Sequence, residues 1–72
     1  MRNYDTQLVG WRIKELRNER AIGQNKLAAD LQISNASISY WENGNQEPSA
    51  SALFKLAQYF GVSAEYLLGL ED

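Results

Sequence analysis

The sequence predicts an all-α domain of five short helices, and three observations support that prediction. Apolar residues recur at helical spacing, whereas no long stretch alternates apolar and polar residues as a half-buried strand does. Residues that favour helix caps precede the apolar runs, and glycines follow several of them. The chain has 72 residues, which is enough for one domain, and we expect that domain to span residues 1–72.

The first helix is expected from about Thr6 to Arg20. Either Asp5 or Thr6 can cap it, because either side chain accepts from a free main-chain N–H. Gly10 lowers the helix propensity, but its missing side chain would allow a neighbour to pack closely. The buried stripe of this helix consists of apolar residues three and four positions apart: Val9, Ile13 and Leu16.

Two short helices follow, over residues 24–31 and 35–43, joined by the three residues 32–34. Ser34 is expected to cap the second of them. Gly44 lies just beyond its end, where a left-handed residue is common. The apolar residues of the two helices would face the core: Leu27, Ala28, Leu31, Ile38 and Trp41.

A fourth helix is expected over residues 50–60, opened by Pro48 and capped by Ser49. Its apolar positions recur three and four apart, which is a clear amphipathic pattern: Leu53, Leu56, Ala57 and Phe60. Gly61 ends this helix. Ser63 then caps a last short helix that carries Tyr66, Leu67 and Leu68.

The composition excludes several classes of function. The chain has no Cys and no His, so it lacks thiolate ligands, imidazole ligands and the usual general base. We therefore expect no enzymatic activity, no metal and no cofactor. No run of about 18 apolar residues predicts a membrane span, and the N-terminus lacks the apolar run of a signal peptide. These features favour a cytoplasmic protein.

The charge total is unusual for a protein that contacts phosphates. The net charge is −2, from seven basic and nine acidic residues. Five of the basic residues lie between Arg12 and Lys26, and four of the acidic ones lie at Glu47 or beyond. We therefore expect the N-terminal half to form the basic side of the molecule.

Residues 24–43 form the most informative unit. A three-residue connection is too tight for antiparallel packing, so the two short helices must cross steeply, as in a helix-turn-helix. Ala28 would let their backbones approach. The outer face of the second helix would then carry short, neutral, hydrogen-bonding side chains that suit the major groove of DNA: Asn35, Ala36, Ser39, Tyr40 and Asn43. Asn and Ser are poor helix formers, so their use here points to a functional reason.

The ordered set of motifs resembles the helix-turn-helix family of the lambda Cro and CI repressors, from about Val9 to Gly69. The matching motifs are Arg12-Ile13-Lys14-x-Leu16-Arg17, Gln24-x-x-Leu27-Ala28, Ser34-x-x-x-Ile38-Ser39-x-Trp41-Glu42-x-Gly44, Pro48-Ser49, Leu53-x-x-Leu56-Ala57, Gly61-Val62-Ser63 and Tyr66-Leu67-Leu68-Gly69. The resemblance implies a five-helix, lambda-repressor-like DNA-binding fold.

The resemblance also implies roles for individual residues. Those expected to face base edges are Asn35, Ala36, Ser39 and Tyr40. Those expected to contact the DNA backbone are Gln24, Ser37, Asn43, Gly44 and Asn45. Arg17 and Glu42 match a pair that forms a structural salt bridge between the first and third helices of the family. An Asn can pair with adenine through two hydrogen bonds, and an Ala can touch a thymine methyl.

Three departures from the family pattern affect affinity more than fold. Gln32 occupies a turn position that is usually Gly, and a left-handed backbone there would be strained. Asn45 stands where Lys or Arg is common. The third helix carries no Lys or Arg on its outer face, which predicts weak binding and a shallow dependence on salt.

Two functions remain open from the sequence. The first is a sequence-specific transcriptional regulator, a repressor of bacterial or prophage type that binds a two-fold operator in double-stranded DNA as a homodimer. The second is a protein-interaction module of the same fold, resembling an antitoxin or anti-repressor. The family further implies a C-terminal effector domain as an alternative source of dimerisation. Trp11 has two interpretations: packing on the last helix near Tyr66 or Leu70, or a dimer contact.

Overall fold

The computed structural model describes residues 3–71, and within that range it contains five α-helices and no strand. The helices are α1 (Thr6–Glu19), α2 (Gln24–Leu31), α3 (Asn35–Glu42), α4 (Ala50–Phe60) and α5 (Ala64–Leu68). The predicted all-helical class is confirmed. The bounds of α1 and α3 were each predicted one residue too long, because Arg20 and Asn43 are the C-cap residues.

Side-chain caps explain why four of the helices begin where they do. The Asp5 carboxylate accepts from the main-chain N–H groups of Gln7 and Leu8, at 3.0 and 3.3 Å. Three serines cap α3, α4 and α5 in the same way: Ser34, Ser49 and Ser63. Gly23 precedes α2 and makes no side-chain cap, so the first turn of that helix keeps main-chain donors without a side-chain acceptor.

The core lies between α1 and the other helices. Its fully buried members come from every helix, with Val9 and Ile13 from α1, and Leu16 lies partly buried at its edge. The remaining core side chains are Leu27, Ala28, Leu31, Ile38, Trp41, Ala52, Leu56, Phe60 and Leu67. The packing fixes α3 against α1, and it leaves the other side of α3 open to solvent.

Gln32 is left-handed, as the sequence analysis expected, with φ 57° and ψ 46°. Ala21 is also left-handed, with φ 55°, and this was not predicted. Its main-chain N–H donates to the carbonyl of Asn18, and the next N–H, from Ile22, reaches back to Arg17. This turn reverses the chain directly after α1 and returns Ile22 to the core.

Arg12 contacts the last helix. The Arg12 guanidinium lies 4.2 Å from the ring centroid of Tyr66 and donates to the main-chain carbonyls of Tyr66 and Glu71. Trp11 is 55% exposed and lines a shallow surface depression formed by α1 residues alone. Both interpretations of Trp11, packing near Tyr66 or Leu70 and a dimer contact, therefore stay predictions, whereas the contact of Arg12 with α5 was not predicted.

The five helices are short, and the longest, α1, has 14 residues. Over residues 3–71, none of them combines the length and the apolar character that crossing a bilayer requires.

Candidate nucleic-acid interface

The inner faces of α2 and α3 pack against the hydrophobic core. Ala28 is 5% exposed, and its carbonyl accepts from the N–H of Ile33 at 3.0 Å in the connecting turn. Ile38 and Trp41 on the inner face of α3 are buried. Because the small side chain of Ala28 lies in the core and the turn is closed by a hydrogen bond, the two helices are fixed relative to each other.

The outer face of α3 presents the residues that the sequence analysis assigned to base contact. Asn35, Ala36 and Tyr40 are exposed, with Tyr40 at 45%, whereas Ser39 is half-buried. Asn43 follows the helix on the same side and is exposed. The structure thus brings these five residues together on one uncharged surface, which we call the α3 face.

On the buried side of α3, the carboxylate of Glu42 connects α3 to α1 and α2. Its carboxylate accepts from Nε of Arg17 at 2.8 Å and from a terminal guanidinium nitrogen of Arg17 at 2.9 Å. It also accepts from Nε2 of Gln24 at 3.0 Å. The carboxylate is almost fully buried, at 2% exposure, and its hydrogen bond raises the pKa of Arg17. The predicted salt bridge between α1 and α3 is present, and α2 joins it.

Gln24 was expected to contact a phosphate both with its side chain and through the N-terminus of its helix, and in the structure its side-chain amide nitrogen donates to Glu42. The amide keeps a second N–H, which can still donate to a phosphate oxygen. The main-chain N–H groups at the start of α2 are the stronger donors here, because Gly23 provides no side-chain cap.

Other residues of the expected site also have partners within the protein, and Nδ2 of Asn43 donates to the hydroxyl of Ser39 at 3.5 Å. Nδ2 of Asn35 donates to Oδ1 of Asn25, a residue of α2 that sequence reasoning missed. The hydroxyl of Ser37 lies 2.9 Å from that of Ser34, so both belong to the cap of α3. The Asn25 contact joins side chains ten positions apart, and no local sequence signal marks it.

The main chain after α3 is largely engaged in ending that helix. The N–H of Gly44 donates to the main-chain carbonyl of Trp41 at 3.1 Å, and the N–H of Asn45 donates to the main-chain carbonyl of Tyr40 at 2.9 Å. These two N–H groups, expected to face phosphates, are therefore already satisfied. A contact with the DNA backbone here would use side chains, and those of Asn43 and Asn45 are exposed.

Charge near the α3 face is low. Within α3, Glu42 is the only charged residue, and Arg17 neutralises it. The cations of the Arg12–Lys26 cluster are mostly engaged elsewhere: Lys26 lies 3.0 Å from Asp30, and Arg20 donates to the carbonyl of Tyr59. The arrangement can therefore offer neutral hydrogen bonds and one methyl group, with little direct charge attraction.

Comparison with families of proteins gives a match over most of the chain. The family described as "Helix-turn-helix domain" matches residues 10–72. Among curated proteins, the chain is 34% identical to the HTH-type transcriptional regulator ImmR of Bacillus subtilis over 64 residues, which is 89% of this chain and 50% of the relative. It is 38% identical to Repressor protein C2 of Salmonella phage P22, over 89% of this chain and 30% of the relative. The chain thus spans half or less of the length of these relatives.

Comparison with solved structures also gives matches over most of the chain. The P22 c2 repressor protein in complex with synthetic operator 9T superposes with a TM-score of 0.84 at 35% identity, covering 90% of this chain and 98% of that chain. The restriction-modification controller protein C.AhdI of Aeromonas hydrophila superposes with a TM-score of 0.80 at 25% identity, covering 88% and 96%.

Proposed function

The chain belongs to the helix-turn-helix domain family, and we propose that it is a sequence-specific regulator of transcription that reads duplex DNA with α3. The resemblance to Cro and CI repressors is confirmed, since relatives and a structural neighbour include the phage P22 C2 repressor. Those relatives are regulators and not enzymes, which supports a binding function without catalysis.

The observation that carries the proposal is the division of α3 into two faces. Ile38 and Trp41 are buried, while Asn35, Ala36 and Tyr40 lie together in solvent. Isolated polar side chains on a helix surface are common, but here the polar face belongs to the helix that would enter the major groove in this fold. Glu42 of α3 accepts hydrogen bonds from Arg17 of α1 and Gln24 of α2, and these bonds fix the orientation in which α3 presents that face.

Each residue of the α3 face has a role in this proposal. Asn35 pairs with adenine, and Ala36 contacts a thymine methyl. Ser39 and Tyr40 complete the base contacts through their hydroxyl groups and the Tyr40 ring. The proposed contacts with phosphates keep the register on the DNA. They come from the main chain of Gln24 and from the side chains of Ser37, Asn43 and Asn45.

We propose that the protein binds a two-fold operator as a homodimer and represses transcription. We also propose that it is a cytoplasmic protein, encoded by a bacterium or a phage. Dimeric helix-turn-helix proteins place their reading helices about one turn of DNA apart, so operator symmetry follows from protein symmetry. The dimer contact can come from the last helix of this domain. A C-terminal effector domain is the alternative, because the relatives are longer than this chain.

The test is selection of bound duplexes from a random library at low salt, followed by sequencing of the bound pool. A two-fold symmetric motif is expected, and its spacing gives the arrangement of the dimer. No enriched sequence from a folded, helical protein would reject sequence-specific binding.

A protein-interaction module is the second candidate, and the engagement of the cations favours it. Carboxylates pair with Arg17 and Lys26, and main-chain carbonyls accept from Arg12 and Arg20. Few of the N–H donors in this cluster are therefore free for phosphates. Binding to a generic duplex at low salt separates the two functions. A regulator retains measurable non-specific affinity there, whereas an interaction module does not.

A further inference from the structure

Asn25 makes a side-chain contact that the proposed function does not yet use. It is the second residue of α2, and its side chain meets that of Asn35, the first residue of α3. We propose that Asn25 is a positioning residue for base recognition, which holds the Asn35 amide in the orientation that reads adenine. The inference rests on the proposed function, because it requires Asn35 to face the bases.

The direction of the hydrogen bond supports this role. Nδ2 of Asn35 donates to Oδ1 of Asn25. A primary amide has two N–H donors and one carbonyl oxygen, so this bond leaves Asn35 with one N–H and its oxygen. Those two groups are the ones that an amide uses against N7 and the N6 amino group of adenine. A bidentate contact uses the amide oxygen and the N–H on the same side of the amide, so the proposed role requires Asn25 to bind the other N–H.

Nearby polar side chains do not perform the same task. The amide of Gln24 donates to Glu42, and the hydroxyl of Ser34 is engaged with Ser37 in the helix cap. Asn35 is exposed, so without a partner its side chain would sample several rotamers and would lose that freedom on binding. Asn25 removes part of this entropic cost before DNA arrives.

Asn25 also keeps its own amide nitrogen, because its oxygen is the group that contacts Asn35. It lies in the first turn of α2, where Gly23 gives no side-chain cap. Its two N–H groups therefore remain for a phosphate oxygen. This gives Asn25 two separable effects: one on the preference for a base, and one on the affinity for all duplexes.

The experiment separates these effects with two substitutions. The wild-type operator is first selected from random duplexes, and the position read by Asn35 is identified as the one whose preference disappears in Asn35→Ala. The dissociation constant is then measured for the operator and its three single-base variants at that position. Asn25→Ala removes the acceptor for Asn35. Asn25→Asp keeps an acceptor but adds negative charge near the phosphates.

Asn25→Ala removes the amide donors and is expected to weaken binding to all four duplexes. It is also expected to lower the preference for adenine at that position by about 3- to 10-fold, which is part of the discrimination that a bidentate amide contact provides. Asn25→Asp is expected to keep the preference and to weaken binding to all four duplexes equally. Asn18→Ala, an exposed Asn on α1, is the matched control and should change neither quantity. Circular dichroism of each variant establishes that the domain is folded.

Two results would overturn the positioning role. One is full adenine preference in Asn25→Ala. The other is an equal loss of affinity on all four duplexes, which would make Asn25 a phosphate contact only. Failure of the proposed function itself is distinct, because the wild-type protein would then enrich no motif, and the positioning role would fall with it.

Discussion

The Cα of Gly10 in α1 lies against the main chain of Trp41 in α3. A Cβ at position 10 would stand 2.0 Å from the carbonyl oxygen of Trp41 and 3.0 Å from that of Glu42. Main-chain atoms cannot rotate away as a side chain can, so no side chain fits there. The approach of α1 to the helix that carries the α3 face therefore depends on this glycine.

Gly10→Ala is expected to destabilise the domain by about 2–3 kcal/mol, because the added methyl group pushes the two helices apart. The gain in helix propensity offsets less than half of this cost. For a domain of this size, the loss corresponds to a fall in Tm of about 10–20 °C. Gly23→Ala is the control, since nothing lies within 4 Å of a Cβ there. Equal melting temperatures for the two variants would contradict the close contact.

Gln32→Gly is expected to stabilise the domain by about 0.5–1 kcal/mol or to leave stability unchanged. The left-handed backbone costs a non-glycine residue about 1–2 kcal/mol, and the greater chain entropy of Gly when unfolded offsets part of that gain. Urea denaturation of the two proteins measures the difference. Ala21→Gly, at the other left-handed position, should show a change of the same sign. A clear loss of stability in Gln32→Gly would show that its side chain contributes more than the strain costs.

Glu42→Ala is expected to destabilise the domain by about 3 kcal/mol, because it leaves the largely buried guanidinium of Arg17 without its carboxylate. The amide of Gln24 loses its acceptor at the same time. Lys26→Ala breaks an exposed ion pair with Asp30 and is the control, with an expected cost below about 0.5 kcal/mol. Thermal unfolding followed by circular dichroism compares the variants. A Glu42→Ala protein as stable as the control would show that the bridge contributes nothing.

Tyr59→Phe is expected to raise the pKa of Asp30 towards its ordinary value. The Tyr59 hydroxyl donates to the Asp30 carboxylate at 2.6 Å and is the main cause of the lowered pKa, with Lys26 second. Because the pKa is lower in the folded state, the ionised carboxylate stabilises the fold above the ordinary Asp pKa. That contribution is lost as the pH falls through the folded value. Titration of the carboxyl carbon by NMR measures the shift, and Tyr40→Phe should leave it unchanged. An unaltered Asp30 pKa in Tyr59→Phe would exclude the hydrogen bond as its cause.

Replacing Asn35 and Tyr40 together with Ala is expected to weaken binding to the selected operator by about 1–3 kcal/mol for each of the two side chains that reads a base. Both side chains are exposed, so circular dichroism and Tm should remain close to those of the wild-type protein. Affinity for unrelated duplexes should change little, because base contacts carry the specificity. Unchanged affinity for the operator would show that α3 is not the reading helix.

The sequence was sufficient for the helices because their ends are determined locally. A serine precedes each of α3, α4 and α5, and the apolar spacing behind each cap fixes the buried side. The strained turn at Gln32 was also readable, since it departs from the family pattern at one position. The Arg17–Glu42 bridge came from the resemblance, and the structure contains it.

The hydrogen bonds of the candidate site were less predictable. The side chain of Gln24 donates to Glu42, that of Asn35 donates to Asn25, and the guanidinium of Arg12 packs on the Tyr66 ring. Each contact joins side chains that are distant in sequence or that compete for one partner. Periodicity specifies which face of a helix a residue occupies. It does not specify which of two neighbouring side-chain amides bonds to a given acceptor.

The junction at Glu42 has a consequence for the DNA. Hydrogen bonds from Arg17 and Gln24 end on the same carboxylate, so α3 cannot tilt without breaking contacts to both α1 and α2. A rigid reading helix leaves the duplex to adjust its groove width and curvature. The energy of that adjustment depends on base steps that the protein never touches. In the proposed dimer, operators with easily deformed steps between the half-sites should therefore be favoured, and part of the selectivity would then be a mechanical property of the DNA.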